Sequence, residues 1–254
     1  MTTVSRIRKD PYPHWNEKEL DAYIYTDVLS EGLVKQVEKN VFLHLKENAV
    51  NYGTHRTTFS FSGSSHAVVK HDQNARYQQI IFDLTLQKQW WHQTSDTVVE
   101  WGNEWLKDNI SPVFYQFINK MYALPPFNSE PGDWIPYRWH INMLEHDTFL
   151  CMHKDCDPKY FNDTTNSSSR ILSLTYYLED YVEGWGGDLF TLSGFVYKPK
   201  KNSAIGFNGH QVMHGVNANL KPSKEARLAF TTRWAHKDDL YLPGHPDKLI
   251  FTLE

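Results

Sequence analysis

Two histidines and one aspartate are spaced along the sequence so that they can surround one metal ion. His153 and Asp155 are separated by one residue, and His214 lies far downstream. Alternate side chains of an extended strand share a face, so His153 and Asp155 can point to one spot while Lys154 points away. Two imidazoles and one carboxylate on one face of an octahedral ion leave positions open for other ligands. We therefore predict a metal site formed by His153, Asp155 and His214.

Each of these assignments has an alternative. His210 lies four residues before His214, and on a helix that spacing would bring two imidazoles together. The sequence Phe207-Asn-Gly-His210 is typical of a turn, however, so we expect His210 to be an exposed turn residue. For His153 and Asp155 the alternative is a strand end whose polar groups face solvent.

Composition restricts the class of protein. The 254 residues are long enough for one domain with a large core, and 22% are charged and 40% hydrophobic. A net charge of −4 gives no reason to expect a nucleic-acid partner. We find no apolar N-terminal segment and no apolar run of membrane-spanning length, so we expect a cytoplasmic protein without a membrane partner. Cys151 and Cys156 are expected to be free thiols.

The first 132 residues have mainly helical patterns, and we expect them to form a helical support. One apolar stripe at helical spacing follows a candidate N-cap, Ser30. A second stripe is interrupted by Pro112, which should start a new helix or bend the existing one. Residues 57–69 are expected to form a strand or an ordered loop. The first stripe contains Leu33, Val37, Val41 and Leu45, and the second contains Val98, Trp101, Trp105, Phe114, Phe117, Ile118 and Met121.

The second half has the pattern of short strands separated by turns, which favours an antiparallel jelly roll, or double-stranded β-helix. The fold class is therefore α+β. We predict one domain, 1–254, with helical support in 1–132, a jelly-roll core that carries the metal site in 133–236, and a C-terminal tail in 237–254. The predicted strands are Ile135–Met143, Phe149–Met152, Ile171–Glu179, Asp188–Leu192, Ser203–Phe207, Gln211–Val216 and Arg227–Trp234.

The order of these motifs resembles the prolyl-4-hydroxylase-like branch of the iron(II)/2-oxoglutarate-dependent dioxygenases. The resemblance extends from about Ile135 to Trp234, and Tyr25–Ser30 with the helix after it resembles the lead-in of that branch more weakly. The motifs, in order, are His153-x-Asp155, Arg170–Leu178, Gly186-Gly187-Asp-Leu-Phe190, Lys198–Phe207, His214-Gly-Val and Arg227–Trp234.

The resemblance implies an enzyme that uses a metal ion and two co-substrates besides its substrate. Fe(II) would be held by His153, Asp155 and His214, and 2-oxoglutarate and O2 would be consumed, with ascorbate as a further candidate cofactor. The implied reaction hydroxylates an unactivated C–H bond of a small molecule, an amino acid or a peptidyl residue such as proline, and 2-oxoglutarate becomes succinate and CO2. In halogenating relatives the Asp155 position is a small residue, so the carboxylate argues for hydroxylation.

The resemblance also assigns residues to the co-substrate. Arg227 follows His214 at the place of the basic residue that holds the far carboxylate, and the planar guanidinium can hold a carboxylate through two hydrogen bonds. Arg233 and Lys224 are alternatives, and Arg227 itself could be a surface residue. Related prolyl hydroxylases usually have lysine here, so Arg227 puts proline specificity in doubt.

Another departure lies before His153, where Leu150 replaces a tyrosine of the family. Substitutes on a neighbouring strand are Tyr137, Arg138, His140 and Asn142, of which we select Asn142 as a co-substrate contact.

Thr175 and Tyr177 share a strand face, so they either line the pocket or fill the core.

Two other functions fit parts of the pattern. One is a non-enzymatic jelly-roll binding module in which the histidines are incidental. The other is a zinc-type hydrolase, which would need a general base such as Glu145 or Asp157 beside the ion. In each enzymatic case the partner is a small-molecule or peptide substrate, and neither fold nor metal site selects it.

Overall fold

Two antiparallel β-sheets face each other, and two helices pack on the far side of the larger sheet. The computed structural model of the chain describes residues 1–9, 20–39, 68–70, 77–83, 90–94, 97–100, 111–127, 133–144, 146–155, 170–223, 225 and 227–236.

These residues form fourteen strands and two helices. In chain order they are β1 (Thr3–Lys9), β2 (Leu20–Thr26), α1 (Glu31–Val37), β3 (Val68–Lys70), β4 (Tyr77–Asp83), β5 (Trp90–Thr94), β6 (Thr97–Glu100), α2 (Ser111–Tyr122), β7 (Trp134–Leu144), β8 (Thr148–His153), β9 (Ile171–Tyr177), β10 (Leu189–Thr191), β11 (Val196–Tyr197), β12 (Ser203–Phe207), β13 (His214–Val216) and β14 (Arg227–His236).

Strands β7 to β14 wind between the two sheets as a jelly roll does. The large sheet has the order β1-β2-β12-β9-β14-β7-β4-β5-β6, and the small sheet has the order β11-β10-β13-β8-β3. The predicted jelly roll is therefore confirmed. Strands β1 and β2 extend the large sheet beyond β12, and β4 to β6 extend it beyond β7.

Successive side chains of strand β14 point to two different regions of the interior. Its residues from Arg227 to Ala235 are all buried. Leu228, Phe230 and Trp234 point into a hydrophobic core that both helices join. Arg227, Ala229, Thr231 and Arg233 instead line a cavity between the sheets. A strand buried on both faces cannot show a simple apolar–polar alternation, because one face packs in the core and the other carries the site.

The mainly helical first half is not confirmed for the residues that the structure describes, because six of the elements before α2 are strands. Val98 lies in β6, so the second predicted helical stripe is wrong at its start, while α2 begins at Ser111 beside Pro112 as predicted. Helix α1 has the predicted N-cap, since the Ser30 side chain accepts a hydrogen bond from the Leu33 amide. Val41, Leu45, Trp101 and Trp105 lie outside the described residues.

The strand predictions of the second half are confirmed, with at least one shifted end in every predicted strand except β12. Strand β13 begins only at His214, because residues from Asn208 form a turn in which the Gln211 and Val212 amides donate to the Asn208 carbonyl. The short strand β11 was not predicted. The division into 1–132, 133–236 and 237–254 stays a prediction, and residues 237–254 lie outside the described part of the chain. Neither described helix has the length and apolar character needed to cross a membrane.

The Gly186-Gly187 pair closes against the loop before β14. Gly186 has a φ of +64°, and a Cβ there would lie 1.9 Å from the Ala218 carbonyl oxygen. Gly184 has a φ of +83°, but no described atom lies within 4 Å of its would-be Cβ.

We expect Gly186→Ala to destabilise the protein more than Gly184→Ala. Both variants would suffer the left-handed backbone penalty of about 1–2 kcal/mol. Only Gly186→Ala adds a clash with backbone that no side-chain rotation relieves. Chemical denaturation of both variants measures the difference, and equal midpoints with unchanged slopes would show that the 217–220 loop yields freely.

Candidate active site

The small sheet brings the two predicted histidine ligands together. His153 ends β8 and His214 begins β13, and the two are register partners across these antiparallel strands. Their ring centroids are 4.4 Å apart. One ligand atom from each of His153, Asp155 and His214 lies within 4.8 Å of the others.

Asp155 reaches this place from a loop and not from the strand. Strand β8 ends at His153, so strand alternation alone does not position Asp155. The Asp155 amide donates a hydrogen bond of 2.9 Å to the Gly209 carbonyl, which ties the loop to the turn before β13. The carboxylate then lies between the histidines, with Oδ1 3.7 Å from His153 Nε2 and Oδ2 3.8 Å from His214 Nε2.

The three side chains have the burial that a metal site needs. Their exposed fractions are 9% for His153, 7% for Asp155 and 8% for His214, which contradicts the solvent-facing strand end. His214 Nδ1 lies 2.9 Å from the Val212 carbonyl oxygen. A carbonyl only accepts, so Nδ1 carries the proton and Nε2 offers its lone pair to a cation. The donor set therefore fits an ion that prefers two imidazoles and one carboxylate.

Two further side chains fix the Asp155 carboxylate. Arg233 Nη2 donates to Oδ1 at 2.6 Å, and Ser173 Oγ donates to Oδ2 at 2.5 Å. Arg233 and Ser173 are register partners on β14 and β9, so the backbone of the large sheet sets both donors. Neither residue was predicted from the sequence to contact Asp155.

Gly209 completes this arrangement by leaving space. A Cβ at Gly209 would lie 2.3 Å from Ser173 Oγ and 2.5 Å from Asp155 Oδ2. Any side chain there would displace the carboxylate or its donor, so glycine is required by close approach. The Asn-Gly pair signalled a turn in the sequence, but not this contact.

Arg227 lines the same cavity six residues before Arg233 on β14. Its guanidinium carbon lies 4.9 Å from the centroid of the Tyr177 ring, and a Cβ at Gly187 would lie 2.6 Å from Arg227 Cδ. Arg227 is 9% exposed, and its buried Nη2 has no hydrogen-bond partner among the described residues. A buried cationic donor of this kind fits an anionic ligand in the cavity.

The Tyr177 ring forms part of the cavity wall under this guanidinium. Burial raises the pKa of the Tyr177 phenol, and the charge of Arg227 lowers it only in part. The phenol therefore stays protonated at neutral pH and can donate a hydrogen bond.

A row of hydrogen-bonded side chains lines the cavity between its two arginines. Asn142 Nδ2 donates to Thr231 Oγ1 at 3.0 Å, and Thr231 Oγ1 lies 3.2 Å from Thr175 Oγ1. Asn142, Thr175 and Tyr177 thus all line the cavity, as does Leu150 at the position where the family has tyrosine.

The remaining candidates are either elsewhere or outside the described residues. His210 lies in a turn as predicted, but is half-buried and not part of the three-residue group. Lys224, Glu145, Asp157 and Cys156 are not described, and the structure describes only the backbone of Tyr137, Arg138 and His140.

Comparison with known proteins agrees with this geometry. Residues 139–236 match the family model described as the 2OG-Fe(II) oxygenase superfamily. That segment contains the three grouped side chains and both cavity arginines. No curated protein sequence matches the chain significantly.

Three bacterial proteins are among the solved structures similar to this chain. AviO1 from Streptomyces viridochromogenes Tue57 is 11% identical, with 87% of this chain and 92% of that chain covered and a TM-score of 0.51. HygX from Streptomyces hygroscopicus, crystallised with nickel and 2-oxoglutarate, is 11% identical, with coverages of 85% and 82% and a TM-score of 0.49. A Pseudomonas putida prolyl-4-hydroxylase is 14% identical, with coverages of 85% and 92% and a TM-score of 0.44.

The segment that forms the site is thus similar in sequence to the 2OG-Fe(II) oxygenase superfamily. At 11% identity the likeness to AviO1 shows a shared fold and no shared substrate. The narrower resemblance to the prolyl-4-hydroxylase-like branch stays a prediction.

Proposed function

We propose that this chain is an iron(II)/2-oxoglutarate-dependent dioxygenase that hydroxylates an unactivated C–H bond of a small molecule, an amino acid or a peptidyl residue. The observation that carries the proposal is one cavity with a buried His153–Asp155–His214 group and the buried Arg227 guanidinium. A bound iron(II) ion would supply the oxidation, in which one atom of O2 enters the substrate and the other enters succinate as 2-oxoglutarate loses CO2.

The role that we propose for each residue follows from its contacts. His153, Asp155 and His214 would hold the ion, and Arg233 and Ser173 orient Asp155. Since Arg233 donates to Asp155 while Arg227 Nη2 has no described partner, we assign the far carboxylate of 2-oxoglutarate to Arg227. A planar guanidinium can hold that carboxylate through two parallel hydrogen bonds.

The wall residues of the cavity would restrict water and position the co-substrate. Leu144, Leu150, Val216 and Ala229 give the cavity apolar surface, which strengthens the electrostatic interactions inside it. The Tyr177 phenol, kept neutral by burial, would donate beside Arg227. Asn142 stays a proposed co-substrate contact, with its amide nitrogen oriented by Thr231.

Anaerobic addition of Fe(II) and 2-oxoglutarate tests the proposal. We expect a visible charge-transfer band from the chelate of the bound ion by the keto acid, and no band when succinate, which lacks the keto group, replaces 2-oxoglutarate. A binding module or a hydrolase would give no band with either acid. Absence of the band from a protein with an intact β-sheet circular dichroism spectrum would contradict the proposed function.

Succinate release then identifies the substrate class. Peptidyl proline, free amino acids and other small metabolites would be compared as stimulants of succinate formation, because coupled turnover requires a C–H bond in the right place.

A further inference from the structure

A buried ion pair lies directly behind the candidate metal ligands. Arg233 Nη2 is 2.6 Å from Asp155 Oδ1, and the exposed fractions of the two side chains are 1% and 7%. Asp155 is the one carboxylate of the three-residue group. The negative charge that the group offers to a cation is therefore already balanced by a neighbouring positive charge.

The positive charge of Arg233 is permanent and fixed in place. A guanidinium does not lose its proton in a protein, so the site cannot relieve the charge by titration. Arg233 is 1% exposed and lies opposite Ser173 in the register of β14 and β9, so the side chain has no simple route to solvent. A divalent ion bound to Asp155 must accept this guanidinium as a close neighbour.

The positive charge of Arg233 therefore has opposite effects on binding of the ion and binding of the co-substrate. The guanidinium repels a divalent cation, and inside a protein that repulsion is much stronger than in water. The same guanidinium attracts a dianion such as 2-oxoglutarate when it arrives beside the ion. Arg227, at the other end of the cavity, adds a second positive charge that only an anion can compensate.

We propose that Arg233 couples metal loading to co-substrate binding: it weakens binding of the ion alone and favours binding of the ion together with 2-oxoglutarate. This inference rests on the proposed function, because it concerns the same site and the same co-substrate. By linkage, the factor by which 2-oxoglutarate raises the affinity for the ion equals the factor by which the ion raises the affinity for 2-oxoglutarate. Arg233 is thus a positioning residue that also sets the strength of this coupling.

The test measures Mn²⁺ affinity calorimetrically, with and without saturating 2-oxoglutarate, in wild type and Arg233→Gln. Glutamine keeps a hydrogen-bond donor for Asp155 but removes the charge. Couplings between sites are typically about 5–150-fold, and we expect the wild-type factor to fall by about tenfold in the variant, mainly through tighter binding of Mn²⁺ alone. The ratio cancels any change that weakens both complexes equally.

Two control variants separate charge from orientation. Arg233→Lys keeps the charge and loses the planar fork, so its coupling factor should remain near that of wild type. Ser173→Ala removes the donor to Asp155 Oδ2 without changing charge. Ser173→Ala should weaken Mn²⁺ binding by about 10–100-fold, as is typical when a residue that hydrogen-bonds to a metal ligand is lost. The factor should be the same with and without 2-oxoglutarate.

The outcomes separate the role of Arg233 from the proposed function. Equal coupling factors in wild type and Arg233→Gln would overturn the role of Arg233 and leave the proposed function standing. A folded wild type that binds no 2-oxoglutarate at saturating Mn²⁺ would contradict the proposed function itself. If Arg233→Gln folds poorly without metal, the Mn²⁺-induced shift in Tm becomes the readout. A larger shift than in wild type supports the proposal, and an equal or smaller shift overturns it.

Discussion

Replacement of His153 by alanine is expected to abolish both metal binding and succinate formation. His153 supplies one of only two imidazoles in the three-residue group, and its Nε2 faces Asp155 Oδ1 at 3.7 Å. Loss of a residue that hydrogen-bonds to a metal ligand typically lowers metal affinity or activity by about 10–100-fold. Loss of a direct ligand should have a larger effect. Calorimetry with Mn²⁺ and a succinate assay with Fe(II) and 2-oxoglutarate measure the two effects.

A second histidine variant controls for loss of a histidine as such. His210→Ala removes the rival ligand predicted from the sequence, four residues before His214. The structure places His210 in a turn, and it is not a member of the three-residue group. It should retain Mn²⁺ binding. If His210→Ala lost the metal and His153→Ala kept it, with both variants folded, the assignment of the site would be wrong.

The jelly-roll half of the fold was predictable because its elements are short and separated by strong turn signals. Strand β12 matches the predicted Ser203–Phe207 at both ends, since the Lys-Lys-Asn turn precedes it and Asn-Gly follows it. The first half was not predictable in the same way. Val98 is followed at helical spacing by Trp101, yet Thr97–Glu100 pairs with β5 as a strand. A stripe of only two or three apolar residues is compatible with both the helical and the strand period. Whether the segment forms a helix or a strand then depends on the strands available to pair with it.

Some residues of the site could likewise be predicted from the sequence, and others could not. His153, Asp155 and His214 could be found from their residue types and order, since ligand chemistry restricts which side chains serve. The donors to Asp155 could not, because Arg233 and Ser173 meet it only through the register of β14 against β9 and the loop after β8. Gly209 was equally hidden, since its role is the absence of a side chain beside a carboxylate. Such contacts depend on tertiary packing between distant segments.

Replacement of Arg227 by methionine is expected to lower the affinity for 2-oxoglutarate by a factor on the order of 10² to 10³, with Mn²⁺ binding in the absence of 2-oxoglutarate almost unchanged. Removing one partner of a buried charge pair typically costs about 3–5 kcal/mol, and the lower part of those values corresponds to that factor. The fold should tolerate the change, because Arg227 Nη2 has no partner among the described residues and methionine is of similar length. Titration of the metal–chelate band with 2-oxoglutarate measures the effect.

Three matched variants test whether Arg227 and not a neighbour holds the far carboxylate. Arg227→Lys keeps the charge but loses the two-pronged geometry, so its affinity should lie between those of wild type and Arg227→Met. Tyr177→Phe removes only a neutral donor beside the guanidinium, and a net hydrogen bond of about 0.5–1.5 kcal/mol predicts a loss of roughly tenfold or less. Wild-type affinity in Arg227→Met, together with a large loss in Lys224→Met, would transfer the role to Lys224. Because Arg233 is already bonded to Asp155, its variants should instead alter the coupling between metal and co-substrate.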